Sequence, residues 1–208
     1  MSTPLLDVRD LSIGFGSAEP VVRDVSFQVM PGETLALVGE SGSGKTITCR
    51  SVLRILPPTA DIRSGVIDFT SSGGKTVNLL AQSERKMRQV RGDQISMIFQ
   101  EPMRSLSPLH RLGDQVSEVL LLHRDMRASD AKKTVLETFD RVGFPEPERV
   151  WRSYPFEMSG GMRQRAMIAM AMVARPELLI ADEPTTALDV TTQAQVLGLI
   201  KDLQKDTG

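Results

Sequence analysis

Gly39-Glu40-Ser41-Gly42-Ser43-Gly44-Lys45-Thr46 follows a short apolar run, Thr34-Leu35-Ala36-Leu37-Val38, and leads into a segment of helical character that continues to about Leu53. The spacing is Gly-x-x-x-x-Gly-Lys-[Ser/Thr]. Glycines at these positions let backbone N–H groups turn inward, so that the loop becomes a concave anion site. A helix starting near Lys45 aims its positive end at the same point. The octapeptide is therefore predicted to be a phosphate-binding loop between a strand and a helix. Lys45 would reach the terminal phosphates and the Thr46 hydroxyl would hold Mg²⁺. The run 34–38 is predicted to be a strand buried on both faces.

Working outward from the loop, Leu6, Val8, Leu11, Ile13 and Phe15 give the segment Leu5 to Phe15 the rough alternation of a half-buried strand. Val21 to Val29 and Gly65 to Phe69 are further strand candidates. Ser83 to Val90 is predicted to be a short polar helix with Ser83 at its N-cap. Ile95 to Phe99 is again apolar and ends at Gln100. From Glu101 to about Met158 the pattern turns helical, with helices over Leu112–His123 and Ser129–Val142, a stop at Gly143, and a loop at Pro145–Glu148. A helix from Gly161 to Val173, a strand from Leu178 to Ala181 and a helix from about Thr191 to Leu203 complete the chain. Strands alternating with helices predict an α/β fold with a helical insertion.

Glu177-Leu-Leu-Ile-Ala-Asp182-Glu183-Pro184 places two carboxylates at the end of an apolar strand. In a parallel sheet the strand C-termini face the ligand crevice. Asp182 is then placed to coordinate Mg²⁺, and Glu183 to polarise a water for attack on the γ-phosphate. Pro184 removes a backbone donor and ends the strand. A third element, Met158-Ser159-Gly160-Gly161-Met162, combines a hydroxyl, two glycines and a helix start, which together make a second anion site. Two sites for a terminal phosphate that do not meet within one chain imply that the second serves a neighbouring molecule.

These motifs, in this order, resemble the ABC ATPase family across nearly the whole chain. Met158 to Met162 is similar to its Leu-Ser-Gly-Gly-Gln signature, with methionine in place of the leucine and of the glutamine. Gln100 matches the Q-loop glutamine and Thr186-Ala-Leu-Asp189 the D-loop; Phe15 stands where the family stacks a ring on adenine. The resemblance implies a P-loop NTPase (RecA-like) core with an N-terminal antiparallel β-subdomain, over 1–100 and 174–208, and an inserted α-helical subdomain over 101–173.

It also implies that ATP and Mg²⁺ are the ligands. Phe15, Gly39, Glu40, Ser41, Gly42, Ser43, Gly44, Lys45, Thr46, Ile47, Ser159, Gly160, Gly161 and Asp189 would surround the nucleotide. Thr46, Gln100 and Asp182 would hold the metal, and Glu183, Lys45 and Gln100 would carry catalysis. The expected partners are a second ABC ATPase domain (identical, different or fused in tandem), integral membrane permeases and, indirectly, a solute-binding protein. The expected location is the cytoplasmic face of the inner membrane, held there peripherally. Met97-Ile-Phe-Gln-Glu-Pro-Met103, Met162-Arg-Gln-Arg165 and Ile180 to Val190 are similar to the peptide/nickel importer subfamily. Ser105 to Arg124 looks like its tandem oligopeptide or microcin C-type members. The family's switch histidine would lie one strand beyond Gly208, so the chain is expected to be incomplete at its C-terminus and weakly active alone; His110 and His123 precede the signature and cannot replace it.

Composition agrees with an ordinary globular domain: 208 residues, 40% hydrophobic and 25% charged. With 25 basic and 26 acidic residues the net charge is −1, so no nucleic-acid footprint is expected. The alternative is a soluble ABC ATPase: that balance weighs against one of translation type, and the lack of long heptad arms against one of DNA-repair type. Cys49 is the single cysteine, which excludes an internal disulfide. The methionines of the 161–173 helix are expected to pack a core, and Arg85, Lys86, Arg88 and Arg91 to form a solvated face.

Overall fold

Residues 3–100, 105–185 and 190–207 are described by the structure, a computed structural model. Two compact units make up the chain, Met1–Arg91 and Gly92–Thr207.

In the first unit, β1 (Leu6–Phe15), β2 (Val22–Val29), β3 (Ala60–Thr70) and β4 (Thr76–Asn78) form an antiparallel sheet in the order β2-β1-β3-β4. Leu6 and Val8 share a parity that Leu11 and Ile13 do not, yet all four are buried. An extra residue must therefore be absorbed between them, since a slip by one flips every side chain to the other face. The ladder shifts register between Val8 and Leu11, and Asp10 takes a left-handed φ of 50°, as at a β-bulge. Opposite it, Gly65 has φ 109°, and a Cβ there would lie 2.6 Å from the Leu11 Cα. Glycine is the residue that fits. Ser26 Oγ accepts the displaced Asp10 N–H at 2.8 Å.

The helix α1 (Lys45–Val52) starts where the phosphate loop predicts, and buries Thr48, Ser51 and Val52. The strand expected over 34–38 does not form. Residues 33–40 belong to no regular element and are exposed, Val38 by 92%. A strand covered on both faces needs ladder partners for its N–H and C=O groups. Among the described strands of this unit, all pair within the antiparallel sheet. In α2 (Glu84–Val90) Ser83 occupies the N-cap, but its side chain makes no cap bond; its carbonyl accepts from Lys86 and Met87 instead. Arg91 is not part of a solvated face. Its guanidinium donates to the Leu53 and Arg54 carbonyls and pairs with Glu84, joining the ends of α1 and α2. That contact holds the Glu84 carboxyl below its ordinary range, chiefly through the hydrogen bond from Arg91.

In the second unit β5 (Ile95–Ile98) and β6 (Leu178–Ala181) run parallel, Ile95 facing Leu178 and Ile98 facing Ala181. Around them stand α3 (Leu112–His123), α4 (Ala128–Arg141), α5 (Pro147–Arg152), α6 (Gly160–Met172) and α7 (Val190–Thr207). Ala131, Val135 and Phe139, four residues apart, put one stripe of α4 into the core. Phe139 meets Phe144 edge-on at 5.6 Å. Met167 and Met172 of α6 are buried, and Met162 and Met170 pack against the same core. The loop expected at Pro145–Glu148 is shorter than predicted, because Pro147 opens α5, where a missing N–H costs nothing. Among the described residues no helix is long and apolar enough to cross a membrane.

Candidate active site

The candidate phosphate loop lies in the first unit. Gly42 and Gly44 have φ of 80° and 91°, values that L side chains rarely adopt. Gly44 is the N-cap of α1, and a Cβ there would lie 2.8 Å from Val22 Cγ2; a Cβ on Gly39 would lie 2.7 Å from Ser43 Oγ. The Lys45 ammonium donates to the carbonyls of Gly39 and Glu40, both at 2.8 Å, so the loop's own oxygens fix the cation inside the turn. Ser43 N–H closes the turn onto the Glu40 carbonyl at 3.2 Å. Gly39 to Ser43 are exposed, while Gly44, Lys45, Thr46 and Ile47 are half-buried. Phe15 ends β1 opposite Ala60 and is half-buried.

The carboxylates lie in the second unit. Because β5 and β6 are parallel neighbours, the residues that follow them leave the sheet side by side. Asp182 N–H donates to the Ile98 carbonyl at 2.9 Å, and Gln100 Nε2 donates to Glu183 Oε2 at 2.7 Å. Asp182 is 3% exposed. Glu183 adopts φ 47°, a left-handed backbone that costs about 1–3 kcal/mol and persists only where the surroundings over-determine it.

Ser159 is the N-cap of α6 and accepts the Met162 N–H on its side chain at 3.4 Å. Ser159 and Gly160 are exposed, and a Cβ on Gly160 would meet nothing beyond its own stretch of helix. Met158 is buried at 6%, so methionine fills the apolar position ahead of the serine. Arg163 Nε donates to the Pro155 carbonyl at 2.8 Å and braces the turn before α6. Asp189, with Thr186 to Leu188, lies outside the described residues.

Thus Gln100, Asp182 and Glu183 are brought together, the loop residues Gly39 to Ile47 form one turn, and Ser159 to Gly161 open one helix. Gln164, quoted above only as part of the string Met162–Arg165, has no role assigned from the sequence. This glutamine of α6 is 2% exposed and donates to the Pro184 carbonyl at 2.6 Å. Its signal was available: a polar residue inside an otherwise apolar helical stripe.

Among the described residues no cluster of three or more His, Cys, Asp or Glu forms a cage for a metal. Taken singly, the Asp182 carboxylate, the Thr46 hydroxyl and the Gln100 amide oxygen are hard donors of the kind Mg²⁺ takes, one or two carboxylates from the protein beside waters and substrate phosphates.

A profile described as ABC transporter matches residues 22–186. The peptidoglycan transport ATP-binding protein YejF of Agrobacterium fabrum is 54% identical over 99% of this chain, which covers 37% of that protein. The oligopeptide transport ATP-binding protein OppD of Bacillus subtilis is 50% identical over 98% of this chain and 56% of its own length. A putative peptide import ATP-binding protein of Brucella ovis is 50% identical, with 99% and 62% covered. The chain therefore spans between 37% and 62% of these curated relatives. Among solved structures, the dimeric ABC transporter cassette MJ0796 superposes with a TM-score of 0.81 at 24% identity, over 98% of this chain and 84% of that one. The cbiO1 protein of Clostridium perfringens gives 0.76 at 24%, over 98% and 75%. Both likenesses concern the fold, which is that of the ABC ATPase cassettes.

Proposed function

Because the chain belongs to the ABC transporter family, we propose that it binds MgATP and hydrolyses it in a dimer with a second ATPase domain, driving import of a solute of peptide type. The observation that carries this reading is the Gln100–Glu183 hydrogen bond beside buried Asp182. It sets an acid–base group and a hard oxygen ligand together at the end of a parallel strand pair.

In this account the amides from Gly39 to Gly44 and the Lys45 ammonium wrap the β- and γ-phosphates. Lys45 is already ordered by two loop carbonyls, so little side-chain freedom is lost when phosphate oxygens arrive. Phe15 offers a ring for adenine, and Glu40, Ser41, Ser43 and Ile47 line the approach to the nucleotide. Thr46, Gln100 and Asp182 are the residues that would hold Mg²⁺, which when bound neutralises charge on the phosphates. Glu183 takes the proton of a water whose oxygen bonds to the γ-phosphorus as the bond to the β–γ bridging oxygen breaks. The donated hydrogen bond from Gln100 keeps the Glu183 carboxylate from rotating away.

Ser159, Gly160 and Gly161 are exposed or half-buried at a helix N-terminus, and serve the γ-phosphate held by the partner domain. By its match to the D-loop, Asp189 is assigned a role at the same interface. Permeases, a solute-binding protein and a peripheral place on the cytoplasmic face of the inner membrane follow from the transporter reading. The peptide assignment is supported by the names of the relatives and by the strings Met97–Met103, Met162–Arg165 and Ile180–Val190, not by any residue that would touch the solute.

The test is phosphate release by the full-length protein with and without Mg²⁺, beside Lys45→Ala. Mg²⁺-dependent release that Lys45→Ala abolishes is expected. A wild-type protein that neither binds ATP nor releases phosphate overturns the proposal.

A further inference from the structure

Granting that Glu183 activates the attacking water, as proposed above, we infer that Gln164 is a positioning residue that ties the signature helix to this carboxylate. After Arg165, the next residues of α6, Ala166, Met167, Ile168 and Ala169, are all buried and apolar, and Met167 and Ile168 share the face of Gln164. A primary amide among them is costly to desolvate unless it is satisfied. It is satisfied by the Pro184 carbonyl, at 2.6 Å.

That carbonyl belongs to the residue next to Glu183. Pro184 cannot vary its φ, so fixing its carbonyl restricts the backbone on which Glu183 sits. Glu183 holds a left-handed φ of 47°, which does not persist without restraint. Three contacts supply the restraint. The Asp182 N–H donates to the Ile98 carbonyl before it, Gln100 donates to its carboxylate, and Gln164 donates to the carbonyl after it. The first two come from the strand pair and its extension, whereas the third comes from α6.

The helix α6 begins at Ser159. Gln164 follows about 7.5 Å along the axis, at 1.5 Å per residue, within one stiff segment. When Ser159 and its glycines engage the neighbour's triphosphate, any displacement of the helix reaches Pro184 through the Gln164 amide. Gln164 thus links occupancy of one nucleotide site to the aim of the general base at the other.

The test uses the full-length protein carrying Gln164→Leu, which keeps the volume and removes the donor, and Gln164→Glu, which is isosteric. With Glu183→Gln as the reference, kcat, KM and the MgATP Kd are measured at several pH values, below each variant's melting temperature. Gln164→Leu is expected to lower kcat about tenfold, the scale of one buried hydrogen bond, with KM and Kd unchanged. In Gln164→Glu an ionised carboxylate faces the Pro184 carbonyl at high pH and turnover falls. On acidification the carboxyl regains an O–H donor, so its rate relative to wild type climbs. A purely structural role would lower the melting temperature without this pH-dependent recovery. Wild-type kcat in both Gln164 variants, alongside an inactive Glu183→Gln, overturns the role of Gln164 alone. Full turnover in Glu183→Gln overturns the reading of Glu183 on which it depends.

Discussion

Gln100 and Glu183, which leave the ends of two neighbouring parallel strands, meet in a hydrogen bond of 2.7 Å with the amide donating to the carboxylate. Replacing the base while keeping its shape separates binding from chemistry. Glu183→Gln should bind MgATP as wild type does and turn over about 10²–10⁴ times more slowly, as expected for loss of a general base. Gln100→Leu should leave the base in place but loosely held. A fall of about tenfold in kcat is expected there. Equilibrium nucleotide binding and steady-state phosphate release check both.

The phosphate loop makes a prediction about a single methyl group. Gly44 has φ 91° and would carry a Cβ 2.8 Å from Val22 Cγ2. Gly44→Ala should weaken ATP binding and destabilise the fold by about 1–3 kcal/mol. Adding Val22→Ala relieves the contact but not the backbone strain, so the double variant should recover only part of the loss. Complete recovery in a denaturation series would show that sterics alone set the preference.

In the helical region Gly113 lies against the Trp151 ring, which a Cβ on Gly113 would strike. Gly113→Ala should cost about 1–3 kcal/mol by overpacking. Trp151 is the single tryptophan of the chain, so its fluorescence reports both the displaced ring and the urea midpoint. An unchanged spectrum and midpoint would contradict the contact.

Arg91 supplies a prediction about protonation. Its hydrogen bond lowers the Glu84 pKa in the folded state. A depressed carboxylate pKa contributes stability above the unfolded value, which is lost as pH falls through the folded value. Arg91→Met should raise the Glu84 titration midpoint, measured by NMR, and remove that acid-side dependence. An unmoved midpoint would exclude the ion pair in solution.

Much of the candidate site's local geometry could be read from the sequence because its determinants are local. Gly42, Gly44 and Lys45 lie within four positions, and the turn they specify is closed by bonds within the turn itself. The same holds for Ser159, whose cap bond reaches Met162. What escaped depends on distant partners. The apolar run 34–38 has strand composition, but a strand exists only with a ladder beside it. The short β4 follows Gly74, which has φ 75°, and exists through its pairing with β3. The Gln164–Pro184 contact joins residues 20 positions apart, and the left-handed Glu183 is maintained by contacts from other strands and helices. Gln164 leaves a trace as a polar residue in an apolar stripe, but neither its partner nor the φ of Glu183 does. The bulge at Asp10 did leave one, in the change of parity between Val8 and Leu11.

Loading the Glu183→Gln protein with MgATP and solving the assembly is the most direct trial of the account. The Ser159 hydroxyl and the Gly161 N–H of one copy are predicted to lie within hydrogen-bonding distance of a γ-phosphate cradled by the Lys45 loop of the other. If Ser159, Gly160 and Gly161 instead face water, remote from every triphosphate, the shared-site mechanism is wrong.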